Sequence, residues 1–151
     1  MTLEDDISIL KMIDLFSDFN FEHLRLLAFG GQKLSFDDGY EIFYEGQNTD
    51  GGYAILSGRV DLISHRGTKQ VLLQSLGQGS LLGEAALIVQ NKRSGTAVTQ
   101  GHTTVLKIPR TVVLRVLSEY PNLAVSIHRK LSASMGDLMK NIDRVPSKLS
   151  Y

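Results

Sequence analysis

Residues 53–73 read YAILSGRVDLISHRGTKQVLL, and their periodicity decides the fold class. Tyr53 to Leu56 is a short apolar run closed by Ser57-Gly58, after which Val60, Leu62 and Ser64 alternate with other residues. Arg66-Gly67-Thr68 has hairpin-turn chemistry, and Val71, Leu72 and Leu73 then resume a strand pattern. The same pattern continues outward in both directions. Upstream, Leu34 and Phe36 alternate and stop at Asp37-Asp38-Gly39, while Ile42-Phe43-Tyr44 stops at Glu45-Gly46. Downstream, Gly95 to Thr99 and Thr103 to Ile108 flank Gln100-Gly101-His102. About seven short strands with turn punctuation predict a closed or sandwiched antiparallel sheet over residues 31–108. No βαβ alternation occurs, which argues against a doubly wound nucleotide fold.

Helical spacing brackets this β region. Leu3, Ile7 and Leu10, followed by Ile13 or Asp14, predict a helix over about 3–16. A second, from Glu22 to Ala28, has Asn20 as its cap, Leu24, Leu27 and Ala28 facing inward, and Gly30-Gly31 as its stop. Pro109 or Arg110 restarts helix, with Val112, Val113, Val116 and Leu117 on one face and Tyr120-Pro121 as the end. Asn122 is the expected cap of a final helix reaching about Ile142. Leu123, Ile127, Leu131, Met135, Leu138 and Ile142 make a long apolar seam along it. That seam suits either burial within one subunit or a homodimer contact through residues 122–142. The chain therefore reads as one domain over 1–151: N-terminal helices 1–30, sheet 31–108, C-terminal helices 109–143 and a short tail 144–151.

Composition narrows the functional classes. There are no cysteines, so disulfides, thiolate zinc sites and cysteine nucleophiles are excluded. His23, His65, His102 and His128 are scattered without metal-ligand spacing, so no metal site is expected. Formal net charge is zero, yet residues 1–50 carry eleven acidic and three basic side chains, and 107–148 carry eight basic and three acidic ones. The basic residues are spread over two helices and a tail rather than gathered on a reading element, so this chain alone is not expected to bind nucleic acid. No apolar run approaches the roughly 20 residues of a membrane span, and the MTLEDD start is acidic where a signal peptide would be basic. Membrane insertion is not expected, and the expected location is cytoplasmic.

One stretch breaks the strand pattern: LGQGSLLGEAALIVQNKRSGTAV, residues 76–98. Gly77, Gly79 and Gly83 lead into Glu84-Ala85-Ala86-Leu87, which is enough for one helical turn with unpaired leading amides. Arg93 follows nine positions after Glu84, and its guanidinium suits bidentate phosphate binding. Ser94, Gly95 and Thr96 add hydroxyls and open backbone. A carboxylate and an arginine around one anion site suit a ligand with both a phosphate and a sugar hydroxyl. From the residues alone, a surface Glu and Arg in a connecting loop is the competing reading. GxxxxGK[ST] is absent, and so is GxGxxG between a strand and a long helix. No nucleophile and base pair suggests itself, so no catalytic residue is expected and the chain is read as a non-enzyme.

At these residues the chain resembles the cyclic nucleotide-binding domain family of catabolite-activator-type (Crp/Fnr-like) regulators, cyclic-nucleotide-dependent kinases and gated channels. The family's phosphate-binding cassette, F-G-E-x-A-L followed after five residues by R-x-A-T, aligns with Leu82-Gly83-Glu84-Ala85-Ala86-Leu87 and Arg93-Ser94-Gly95-Thr96. Phe43 to Gly46 and Tyr53 to Val60 resemble its upstream turn and strand motifs. The resemblance implies a mainly β fold with flanking helices: an antiparallel β-roll, jelly-roll-like, carrying its cassette at 77–96. It implies Glu84 on the ribose 2′-hydroxyl, Arg93 on the cyclic phosphate, and amides of Gly83, Ala85, Ala86 and Ser94 around the phosphate. Leu72 or Leu73, Leu82 and Val98 are implied near sugar and base, Thr96 at the cassette's end, and Leu131 or Met135 as a lid. The ligand implied is cyclic AMP, with cyclic GMP left open by Ser94, and no other cofactor.

Three departures stand out: Leu82 for an aromatic residue, Lys92 for a frequent proline, and Gly95 for alanine. The last two predict a less restrained loop. The implied function is a sensor that transmits occupancy through its C-terminal helices to a protein effector. A non-binding interaction domain of the same fold and the sensor part of a transcriptional regulator are the alternatives.

Overall fold

In chain order the elements are α1 (Leu3–Lys11), a 3-10 turn (Asp14–Phe16), α2 (Phe21–Gly30), β1 (Gln32–Phe36), β2 (Glu41–Phe43), β3 (Gly51–Arg66) and β4 (Lys69–Leu76). They continue with β5 (Leu81–Leu82), a second 3-10 turn (Ala85–Leu87), β6 (Thr96–Pro109), α3 (Arg110–Glu119) and α4 (Pro121–Arg144). This computed structural model describes residues 2–144, with side-chain surroundings through Ser134. Among these residues the strand order is β1-β6-β3-β4, with β2 also on β6 and β5 also on β3; every pairing is antiparallel. The chain has the expected β-roll with flanking helices.

Two long strands replace four of the expected short ones. Ser57-Gly58 and Gln100-Gly101-His102, read as breaks, lie inside β3 and β6. Gly58 (φ 89°) and Gly101 (φ 79°) take the left-handed backbone that side chains resist, and the register slips around Ser57. The strands therefore bend without losing their partners. A Cβ on Gly58 would sit 2.5 Å from Thr103 Oγ1 and 2.6 Å from the His102 carbonyl oxygen, so the bend also needs the missing side chain.

The unbroken apolar run 53–56 has a physical cause. Ala54 and Leu56 enter the core shared with the helices, whereas Tyr53 and Ile55 enter the core inside the roll. With both faces of the strand buried, alternation disappears. The inner core comprises Phe43, Tyr53, Ile55, Val60, Leu82, Ala97 and Val105.

The helices close one side of the roll. Asn20 caps α2 as expected: its side-chain oxygen accepts the His23 N–H at 2.9 Å, and His23 Nδ1 accepts the Asn20 N–H at 3.1 Å. The first predicted helix ends early, at Lys11, and resumes as the 3-10 turn. α4 starts at Pro121, so Asn122 is not its cap; proline's fixed φ and absent N–H suit a first helical position. Leu123 and Ile127 are buried in this chain's own core, which uses the first part of the apolar seam. The side chains of Met135, Leu138 and Ile142 lie outside the described residues. Ser126 Oγ donates to Asp18, and Lys130 Nζ donates to Ser17 Oγ and to the Asp14 carbonyl, tying α4 to the N-terminal turn.

Candidate functional site

The stretch between β5 and β6 forms one wall of a pocket of about 280 Å³. Gly83 (φ 82°) turns the chain out of β5, and Glu84 enters the second 3-10 turn in a right-handed conformation. The turn's first backbone bond runs from the Leu87 N–H to the Glu84 carbonyl at 3.2 Å. The amides of Glu84, Ala85 and Ala86 precede that bond, as the leading amides of a helical turn do. Gly83, Glu84, Ala85 and Ala86 all border the pocket.

Arg93 is only 7% exposed although it carries a full charge. Its guanidinium lies over Phe43 at 4.2 Å and over Tyr53 at 5.5 Å, both from ring centroids. Nη2 donates to the Gly51 carbonyl at 2.8 Å, but Nη1 is buried with no hydrogen-bond partner. A Cβ on Gly83 would lie 2.6 Å from Nη1, so glycine there keeps that face of the guanidinium open. Burial holds the Arg93 pKa below the ordinary arginine value. A buried charged donor without a partner is costly, and an anion in the pocket would supply the missing acceptor.

Glu84 stands at the rim with its side chain reaching the surface. Partial withdrawal of its carboxyl from solvent raises the pKa, and the Asp14 carboxylate adds to the rise. The site thus has a cationic end at Arg93 and a carboxylate at Glu84, with apolar surface from Leu62, Leu76, Leu81, Leu82 and Leu131. A second cavity of about 500 Å³ adjoins it, sharing Gln74, Leu76, Leu81, Glu84 and Ser134 and extending toward Asp14 and Lys130. Among the described residues no group of side chains could hold a metal, and no helix is long and apolar enough to cross a membrane.

Of the residues singled out in the sequence, Leu82, Gly83, Glu84, Ala85, Ala86, Arg93, Ser94 and Leu131 border the pocket. Leu72, Leu73 and Val98 do not. The β3–β4 register slips between Leu62/Gln74 and Ile63/Leu72, leaving Leu73 over as the bulged residue. Gln74 and Leu76 consequently border the pocket, and Leu72 is 59% exposed. Thr96 is buried away from the pocket lining, where its Oγ1 accepts the Glu45 N–H at 3.0 Å. Met135 lies outside the residues whose side chains are described. Gln74, Thr49 and Asn91 were missed: alternation along β4 signals Gln74 only once the bulge is known, and the other two carry no local signal.

The loose loop expected around Lys92 is in fact laced to residues 46–49. Arg93 N–H donates to the Gln47 carbonyl at 2.8 Å and Gly46 N–H to the Arg93 carbonyl at 2.9 Å. Lys92 Nζ donates to Asn48 Oδ1 at 3.1 Å. Gly95 also serves close approach rather than freedom, since a Cβ there would meet the Ile63 carbonyl oxygen at 2.9 Å.

Comparison with known proteins agrees with this geometry. The model of the cyclic nucleotide-binding domain family matches residues 33–120. A solved cyclic nucleotide-binding-like protein from Brucella abortus is 41% identical and superposes with a TM-score of 0.69, covering 76% of this chain and 98% of that one. The cyclic AMP receptor protein of Thermus thermophilus is 33% identical over 105 residues, 66% of this chain and 49% of that protein. A lysophospholipase NTE1 of Chaetomium globosum is 29% identical over 114 residues, 75% of this chain but 8% of the fungal protein. The chain thus spans a small part of the fungal relatives and about half of the bacterial receptor.

Proposed function

The chain belongs to the cyclic nucleotide-binding domain family, and from that premise we propose that it is a sensor that binds cyclic AMP and catalyses nothing itself. The observation that carries this reading is the buried, unpartnered Nη1 of Arg93 beside Gly83. A singly charged cyclic phosphate balances that one guanidinium, and the amides of the 84–87 turn add neutral donors. Glu84 accepts from the ribose 2′-hydroxyl. Leu76, Leu82 and Leu131 flank sugar and base, which are apolar on their faces. The name of the Thermus relative supports cyclic AMP over cyclic GMP. Occupancy alters the packing of α4, which supplies Leu131 and Ser134 to the same pocket, and of α3, which packs against α4 and the 85–87 turn. A ligand shifts such an arrangement only by binding one form better than the other.

Calorimetry of the 151-residue protein with cyclic AMP and cyclic GMP tests the reading, beside Arg93→Ala and Glu84→Ala. Binding by the wild type that R93A loses supports it. If neither nucleotide binds, the domain is an interaction module that has kept the roll. Amide exchange across 110–142 tests the transmission, and unchanged protection at saturating ligand refutes it.

A further inference from the structure

A second arginine stands behind the first without bordering the pocket. Arg110, the first residue of α3, donates from Nε to the Ala86 carbonyl at 2.9 Å. Its Nη2 donates to the Thr49 carbonyl at 2.9 Å and to Thr49 Oγ1 at 2.8 Å. Its backbone N–H donates to the Asp50 carbonyl at 2.7 Å. One side chain therefore joins the 84–87 turn, the loop before β3 and the start of α3, across sequence separations of 24 and 61 residues.

The hub at Thr49 is saturated. Its buried hydroxyl donates to Asn91 Oδ1 at 2.8 Å and accepts from both Arg110 Nη2 and the Asn91 N–H, the last at 3.1 Å. A hydroxyl offers one donor and two acceptor positions, so nothing is left over. The Thr49 N–H also donates to the Asn91 carbonyl at 2.9 Å. Asn91 lies two residues before Arg93, so the hub holds the loop that delivers the buried guanidinium. Only a planar guanidinium can reach the Ala86 and Thr49 acceptors in fixed geometry; a lysine ammonium matches the charge but not the fork.

We infer that Arg110 is a positioning residue for ligand capture, holding the Ala86 turn and the Asn91–Arg93 loop in binding geometry and linking both to α3. This rests on the reading of the pocket as a cyclic nucleotide site. Because the linkage is reciprocal, a ligand that fixes the turn also orders the first residues of α3.

The test uses the full 151-residue protein with Arg110→Lys and Thr49→Val, measuring cyclic AMP and cyclic GMP affinity, thermal midpoint without ligand, and amide exchange at 83–93 and 110–119. Each variant is expected to lose about 10-fold in affinity, the equivalent of one hydrogen bond to a charged group. The wild type is expected to gain ligand-dependent protection at 110–119, and R110K to lose that gain while the Gly83–Leu87 amides still respond. Wild-type affinity and wild-type α3 protection in both variants overturn the inference but leave the pocket reading intact. An affinity loss with α3 protection still coupled to ligand overturns it too, since the residue is then only structural. If R110K fails to fold, T49V alone decides between these outcomes. If the wild type binds neither nucleotide, the pocket reading and this inference fall together.

Discussion

The paired strands β3 and β6 and the 77–96 segment that leads from β4 into β6 solve opposite physical problems. The strands bury Ile55, Leu56, Val105 and Ile108 completely and satisfy their backbone by pairing along most of their length. The segment buries a charge, leaves one of its nitrogens without a partner, and holds a carboxyl with a raised pKa. Local choices agree with the fold in the first region and conflict with it in the second. Conflict of this kind is expected where a protein trades stability for recognition. The strand frame makes that trade tolerable, because Phe43 and Tyr53, over which the Arg93 guanidinium lies, are themselves core residues.

The comparison breaks most directly in the frame. Ile55→Ala removes a fully buried side chain from the inner core and should cost about 2–5 kcal/mol in urea unfolding. The surviving folded fraction should still bind ligand. The converse substitution is Arg93→Met. Cyclic AMP affinity should fall by about 2–5 kcal/mol in calorimetry, since the phosphate loses its charged partner. Ligand-free stability should stay within about 1 kcal/mol of wild type, because a buried charge leaves along with its bond to Gly51. A large loss of ligand-free stability in R93M would show that the arginine belongs to the frame.

Gly58→Ala probes the frame's bend. It forces a side chain into left-handed backbone and toward Thr103, and should lower stability by at least about 1–2 kcal/mol by thermal unfolding. The smallest effect concerns Glu84. Folded Glu84 holds its proton to higher pH than a free side chain, through burial and the Asp14 carboxylate. A ribose hydroxyl donates to the ionised form, so binding lowers the pKa and releases a proton. Affinity should be full above the ligand-free pKa and fall as pH drops through it, by up to about tenfold per pH unit. Calorimetry across acidic pH should show this slope, and Glu84→Gln should abolish it.

Legibility in the sequence follows the same division. The antiparallel sheet, the flanking helices and the Asn20 cap rest on local patterns, the roll is implied by the family resemblance, and the structure contains them all. Local pattern and structure part where a distant partner decides. Ser57-Gly58 looks like a strand end locally, and only its pairing partner on β6 makes it a bulge within a longer strand. Leu72 and Leu73 carry the right chemistry for a pocket wall, but a one-residue slip against Leu62 brings Gln74 and Leu76 there instead. Thr96 follows the cassette directly in sequence, yet it is buried outside the pocket lining, with its hydroxyl accepting the Glu45 N–H from a loop 51 residues away.

The sequence by itself determined the alternation of strands and turns, the absence of cysteine chemistry, and the placing of Glu84 and Arg93 on one interrupted segment. These are local properties, set by side-chain periodicity, backbone freedom at glycine, and charge. Tertiary structure alone decided that Arg93 is buried against two rings with one nitrogen unpartnered, that Lys92 and Gly95 belong to a laced loop, and that Arg110 reaches the Ala86 turn. Those properties depend on which acceptors lie within about 3 Å of a given donor. Chain closure over tens of residues sets that distance, and no local pattern encodes it.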